Sequence, residues 1–179
     1  MVQVWASCRC GDADPAPGGC HNPVADSDLG RKGLRRMADL ADWFRAFVQR
    51  SLQQAWGLQE LVQDGDGDFP IGDGSTTAYV TVEPAPGLGV CVWSYAAYGV
   101  KASLRVLREV NELNMASDLC KVMWANGCIR VELRVPADQV SAESLGRACG
   151  HVNGCTSHIG DLFALVHGGE SALAEPQAS

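Results

Sequence analysis

Two groups of residues have the types and spacing that could bind a metal ion. Cys8, Cys10, Cys20 and His21 offer four donors near the N terminus, of the kinds zinc accepts. Their spacing is not the paired CxxC of a zinc knuckle, and no periodic pattern supports a scaffold around them. His151, Cys155 and His158 fall at i, i+4 and i+7, one stripe of a helix, and could chelate. Cys155 also continues an apolar seam, where a small buried thiol needs no further role. The plainer structural reading outweighs metal binding in both groups. Asp64-Gly-Asp-Gly-Asp68 has the look of a calcium loop. An EF-hand needs Gly sixth, for the turn, and Glu twelfth, as the bidentate ligand. Phe69 and Ser75 stand there, so this stretch reads as a solvated turn.

Other chemistries find less. Gly65-Asp66-Gly67 and Gly72-Asp73-Gly74 place carboxylates where a phosphate would be repelled. There is no nucleophile elbow and no carboxylate pair with a definable partner. The sequence therefore names no catalytic residue and no cofactor. Asn111 and Asn114 near the end of a helix read as structural, Asn114 as a C-terminal cap and Asn111 as a bond to the next loop.

The elements that must position any site are clearer. From about Ala38 the residues Leu40, Trp43, Phe44, Phe47, Val48, Leu52 and Trp56 recur at helical spacing, and Gly57 is placed to end that helix over one face of a sheet. Leu58–Gln63 reads as a weak first strand. Thr77–Val82 alternates, with Ala78, Val80 and Val82 on one face and Thr77, Tyr79 and Thr81 on the other. Val90–Ala96 sends Val90 and Val92 one way and Cys91, Trp93 and Tyr95 the other. Apolar residues on both sides mean that the sheet is covered twice or exposes a patch.

Lys101–Met115 reads as a second helix with Leu104, Val106, Leu107, Val110 and Leu113 inside. Asn126-Gly127 between two β-rich runs predicts a two-residue type I′ hairpin turn. That turn fixes the register: Ala125 faces Cys128, Trp124 faces Ile129 and Lys121 faces Glu132. Cys120, Val122, Trp124, Ile129, Val131 and Leu133 then form a core face, and Lys121, Met123, Arg130, Glu132 and Arg134 the other. A third helix begins near Ser141, with the stripe Leu145, Ala148, Val152, Cys155, Ile159, Leu162 and Val166 spaced 3-4-3-4-3-4. Gly168-Gly169 ends it, and Asn153-Gly154 could interrupt it. The order is α-β-β-β-α-β-β-α, an α+β fold with a mostly antiparallel sheet and packed helices.

Composition narrows the function. The chain has 179 residues, 46% of them hydrophobic, enough for one domain with a real core. Its net charge is −7; residues 1–36 hold five of the fourteen Lys/Arg and four of the twenty-one Asp/Glu, which leaves nine against seventeen, a net −8, in residues 37–179. So acidic a domain repels phosphate backbones and argues against a nucleic-acid partner. No apolar run is long enough to span a membrane. Without an export signal, the eight cysteines read as thiols of a cytoplasmic protein. Residues 1–36 have linker chemistry and are expected to be a disordered extension, 37–169 the domain, and 170–179 a flexible tail.

Several motifs in order resemble the YbjN-domain family, also described as type III secretion chaperone-like. These are Asp64-Gly-Asp-Gly-Asp-Phe-Pro70, Val110-Asn-Glu-Leu-Asn114, Cys120-Lys-Val-Met-Trp124, the Asn126-Gly127 hairpin, Val131–Val135, Ser141-Ala-Glu-Ser-Leu145 and the helix closed by Gly168-Gly169. The resemblance covers roughly 37–169. It implies a compact bacterial α+β domain, often a homodimer, that binds a partner polypeptide as a non-enzymatic chaperone or adaptor. It carries over no catalytic residue. The surface expected to bind is Trp93, Tyr95, Met123 and Arg130. The competing expectation is a metal- or thiol-dependent sensor using the N-terminal cysteines or His151, Cys155 and His158.

Overall fold

The computed structural model describes residues 28–72, 75–84 and 87–173, with side chains from residue 39 onward. The elements in chain order are α1 (Asp28–Trp56), β1 (Phe69–Gly72), β2 (Thr77–Glu83), β3 (Gly89–Tyr98), α2 (Leu104–Ala116), β4 (Lys121–Ala125), β5 (Cys128–Pro136), α3 (Ala142–His167) and β6 (Glu170–Ser171). The strands form one antiparallel sheet in the order β1-β2-β3-β5-β4, with β6 paired to the end of β3. This is the expected α+β order with one short strand added.

The hairpin of β4 and β5 has the predicted register, Lys121 opposite Glu132 through Ala125 opposite Cys128. Asn126 (φ 50°) and Gly127 (φ 81°) supply the two positive φ angles the turn requires. The turn is tied down, since Val100 N–H donates to the Gly127 carbonyl at 2.8 Å and the Trp124 indole donates to the Val100 carbonyl at 2.7 Å.

The helices α1, α2 and α3 serve one side of the sheet. Helix α3 lies along β3 and β5, α1 packs against α3 and touches β2, and α2 flanks the edge strand β4. Between these layers sits the core: Phe44, Val48 and Leu52 from α1, Phe69, Val80, Val92, Ile129 and Val131 from the sheet, and Leu145, Val152 and Phe163 from α3. Each such side chain, fully buried, contributes on the order of 1.5–3 kcal/mol.

Helix α3 has a well-formed start. Ser141 and Ser144 bond reciprocally as a capping box, and Glu143 lies in the first turn. The helix runs through Asn153-Gly154 without a break and ends on Gly168 in the left-handed conformation. Its buried stripe differs from the predicted one. Leu145, Ala148, Val152 and Ile159 are inside, but Cys155 is only partly buried, Leu162 is 60% exposed and Val166 is 37% exposed. A strict 3.5-residue repeat drifts by about 20° per heptad on a straight helix. The true seam moves with that drift to Cys149, Thr156, Gly160, Phe163 and Ala164.

The structure departs from the sequence pattern elsewhere too. Leu58–Gln63 is a loop, not a strand: Gln49 and Gln53 of α1 donate to the carbonyls of Leu61 and Gln59, and Leu61 alone enters the core. The first strand is Phe69–Gly72, after a turn in which Asp64 Oδ1 accepts from the backbone of Asp66 and Asp68. Helix α1 starts at Asp28, ahead of Ala38, through a stretch rich in the helix formers Arg, Lys and Leu; residues 1–27 lie outside the described residues. Within α1, Leu40 and Trp43 are exposed, and on α2 only Val106 and Val110 are buried, with Leu104 and Leu107 turned to solvent.

Candidate functional site

Because the helices share one side, the other face of the sheet is bare of any described element. The register orders its side chains in rows. One row runs Lys121, Glu132, Trp93, Tyr79 and Pro70 across β4, β5, β3, β2 and β1. A second runs Met123, Arg130 and Tyr95, and a third Arg134, Cys91 and Thr81. The four residues expected to bind a partner, Trp93, Tyr95, Met123 and Arg130, therefore fall together in two adjacent rows. All four are partly exposed.

Aromatic rings dominate the β2 and β3 part of this face. Tyr79 stacks on Trp93 with centroids 4.6 Å apart, Tyr95 meets Trp93 edge-on at 5.1 Å, and Tyr98 lies 5.2 Å from Tyr95. Each such pair adds about 0.5–1.5 kcal/mol beyond burial. Tyr98 reaches this row through a bulge in β3: Tyr95 opposes Arg130 and Ala97 opposes Ile129, so Ala96 is extra. Ala96 and Ala97 are both fully buried, and the next residue emerges on the outer face. Gly160 of α3 permits the close approach beneath, since a Cβ there would lie 2.9 Å from the Ala96 carbonyl oxygen.

Polar groups hold the rings in place. The Trp93 indole donates to Thr81 Oγ1 at 2.9 Å, and that hydroxyl donates to Asp68 Oδ1 at 2.7 Å. Burial raises the Asp68 carboxyl above the usual carboxylate range, opposed by the Thr81 hydrogen bond. Burial also raises the Tyr79 hydroxyl. The Arg130 guanidinium sits 4.2 Å from the Trp93 ring centroid, a cation–π contact of roughly 0.5–2 kcal/mol.

Glu132 is the surprise of the outer face. Its side chain is 8% exposed and lies between Arg130 at 3.5 Å and Arg134 at 3.8 Å, while Arg134 also reaches Glu83 at 3.3 Å. Cys91 is sealed beneath this cluster, 3.8 Å from Glu132 Oε2, and burial with the neighbouring Glu132 charge pushes its thiol up to about 11. Lys121, in register with Glu132, stays exposed.

The free edge of β4 is closed. The Asn114 side chain accepts from Val122 N–H at 2.7 Å and donates to the Val122 carbonyl at 2.8 Å, as a neighbouring strand would. Ser117, not Asn114, caps α2, and Asn111 donates only to Met115 Sδ at 3.6 Å. His167 and Glu109 meet at 2.7 Å and tie the end of α3 to α2.

The metal candidates are not assembled. Among the described residues no group of three or more His, Cys, Asp or Glu is placed to hold a metal ion. His151 and His158 are exposed, while Cys155 is partly buried against the core, and burial pushes the thiol of Cys120 up to about 12. Cys8, Cys10, Cys20 and His21 lie outside the described residues. Nor is any described helix long and apolar enough to cross a membrane.

Comparison with known proteins fits this geometry. A family model described as "T3SS (YopN, CesT) and YbjN peptide-binding chaperone 1" matches residues 42–175. The chain belongs to this peptide-binding chaperone family. The match runs from within α1 past β6, and so takes in the whole sheet and its bare face. Among solved structures, a chain of the HopA1–SchA chaperone–effector complex is similar, with a TM-score of 0.56 and 12% identity over 68% of this chain and 97% of that one. At that identity the likeness shows the chaperone fold alone. No curated protein matches. The family agrees with the expectation of a protein-binding chaperone, and nothing among the described residues supports the metal- or thiol-sensor alternative.

Alternation along the strands places Trp93, Tyr95, Met123 and Arg130 on one face, as the register does. Alternation puts Tyr79 on the correct face of its strand, but its stack on Trp93 depends on long-range pairing. Tyr98 is hidden by the bulge, which reverses the alternation. Glu132, in register with Lys121, reads locally as a surface partner of that lysine; in the structure it is the buried anchor of two arginines.

Proposed function

We propose that this chain is a non-enzymatic chaperone or adaptor of the cytoplasm that holds an extended segment of a partner polypeptide on the bare face of its sheet. One observation carries the reading: the row Tyr79, Trp93, Tyr95 and Tyr98, with Met123 and Arg130 beside it, is left uncovered while α1, α2 and α3 pack on the other side. Contiguous apolar surface of this kind marks interaction sites, and Trp, Tyr and Arg are the residues enriched at binding hot spots. Cys91, Cys120, Cys149 and Cys155 as thiols suit a reducing compartment. A homodimer belongs to the reading too, supported by the exposed Leu104, Leu107 and Met115 of α2.

Trp93→Asp tests the proposal. The side chain lies outside the helix-packed core, so the folded circular dichroism spectrum should persist while partners captured by the wild type are lost. Retention of those partners by a folded variant would refute it. Light scattering after size exclusion tests the dimer, with a monomeric mass refuting that part.

A further inference from the structure

We infer that the segment held on this face is acidic: an extended stretch carrying Asp or Glu beside an aromatic or aliphatic side chain. The inference rests on the face being the binding site, and adds what that site selects. The aromatic row occupies β2 and β3, and the strip beside it on β4 and β5 is cationic, with Lys121, Arg130 and Arg134.

The anions on the same face are withdrawn. Glu132 is 8% exposed, Asp68 is buried, and Glu83 is 26% exposed and engaged by Arg134. Arg134 is 53% exposed and Lys121 is open to solvent. A ligand settling here therefore meets ammonium and guanidinium groups first. On β4 and β5 themselves these three cations stand against one carboxylate, Glu132; Glu83, Asp68 and Asp64 lie towards β2 and the turn before β1. This strip is positive on a chain whose net charge is −7, so it is a local exception to a field that otherwise repels acidic partners.

The arginines also have donors to spare. Arg130 and Arg134 share the single carboxylate of Glu132 at 3.5 and 3.8 Å, longer than a bidentate pair. Arg130 is turned inward, with its Nε–H buried and one amino group 3.7 Å from Cys91 Sγ, so the donors open to a ligand are those of Arg134 and Lys121. A ligand carboxylate laid across β5 would pair with these, while its neighbouring apolar side chain covers Trp93 and Tyr95.

The test uses the full chain and two pooled peptide libraries with the same fixed central aromatic residue, one biased to Asp and Glu and the other to Lys and Arg. Peptides retained by the immobilised protein are counted by mass spectrometry. The acidic pool should be enriched about tenfold over the basic pool at low ionic strength, with the preference shrinking as salt screens it. Arg134→Gln combined with Lys121→Gln, both at exposed positions, should erase the preference. Trp93→Ala should lose both pools. If the basic pool is retained equally or better and Trp93→Ala still abolishes retention, the acidic preference is overturned and the face stands. If retention ignores Trp93→Ala, or neither pool is retained, the face itself falls and the preference with it.

Discussion

Gly160 is the point where α3 comes closest to the sheet, and replacing it with Ala measures how tightly the two layers are matched. Two effects oppose each other. Ala is favoured over Gly inside a helix by about 1 kcal/mol. Against that, the new Cβ would lie 2.9 Å from the Ala96 carbonyl oxygen, closer than real Cβ atoms approach, with Leu173 and Ser171 at 3.5 Å on either side. The obstacle is backbone at the β3 bulge, so α3 or β3 must shift, and such overpacking typically costs about 1–3 kcal/mol. The clash wins, for a net loss of up to roughly 2 kcal/mol. Gly150 and Gly154 lie in the same helix, and a Cβ added to either would meet nothing within 4 Å. There only the propensity acts, and each change to Ala should stabilise by about 1 kcal/mol. Thermal unfolding reads these as a Tm lowered by Gly160→Ala and raised by roughly 2–4 °C for each of the other two. A rise for Gly160→Ala equal to that of Gly154→Ala would show that α3 does not press on the bulge.

Further expectations follow from the site and its borders. Trp93→Ala deletes a stack on Tyr79 and the Arg130 cation–π contact; chemical denaturation should register a loss of about 1–2 kcal/mol, with the core intact. Asn114→Ala frees the Val122 N–H and carbonyl at the β4 edge. It should cost about 1–3 kcal/mol and produce concentration-dependent self-association by light scattering, because an open edge templates pairing. Burial raises the Cys91 thiol to about 11 and the Cys120 and Cys149 thiols to about 12. These groups ionise in the unfolded chain near pH 9 but not in the folded one. Their contribution to stability is thus complete below that pH and falls as pH rises towards 11–12. Urea midpoints that stay level across that window would contradict it, as would rapid modification of these three thiols in the native protein.

The parts of the fold readable in the sequence are those fixed by local chemistry. Asn126-Gly127 sets a hairpin register that the structure reproduces residue for residue, and Ser141 marks the start of α3. Local signals fail where distant groups decide. Leu58–Gln63 is not a strand because side chains of α1 take up two of its carbonyls. The α3 stripe slips because a heptad period departs from the 3.6-residue turn of a straight helix. Trp93, Tyr95, Met123 and Arg130 can be assigned to an outer face by alternation alone, but their alignment in two rows depends on β3 pairing with β5 across a long stretch of chain. The burial of Glu132 needs both arginines in place, and no local pattern reveals it.

The central claim is that the bare aromatic face, not the helical side, receives the partner. The chain has five tryptophans, whose indole N–H signals separate the two sides in a nitrogen-15 NMR spectrum. Trp93 reports the face through its bond to Thr81, the exposed Trp43 reports α1, and Trp124 reports the opposite side of the sheet through its bond to Val100. Titration with a captured partner segment should shift or broaden the Trp93 indole signal while Trp43 and Trp124 stay in place. Movement of Trp43 with an unchanged Trp93 would put the partner on the helices and contradict the account.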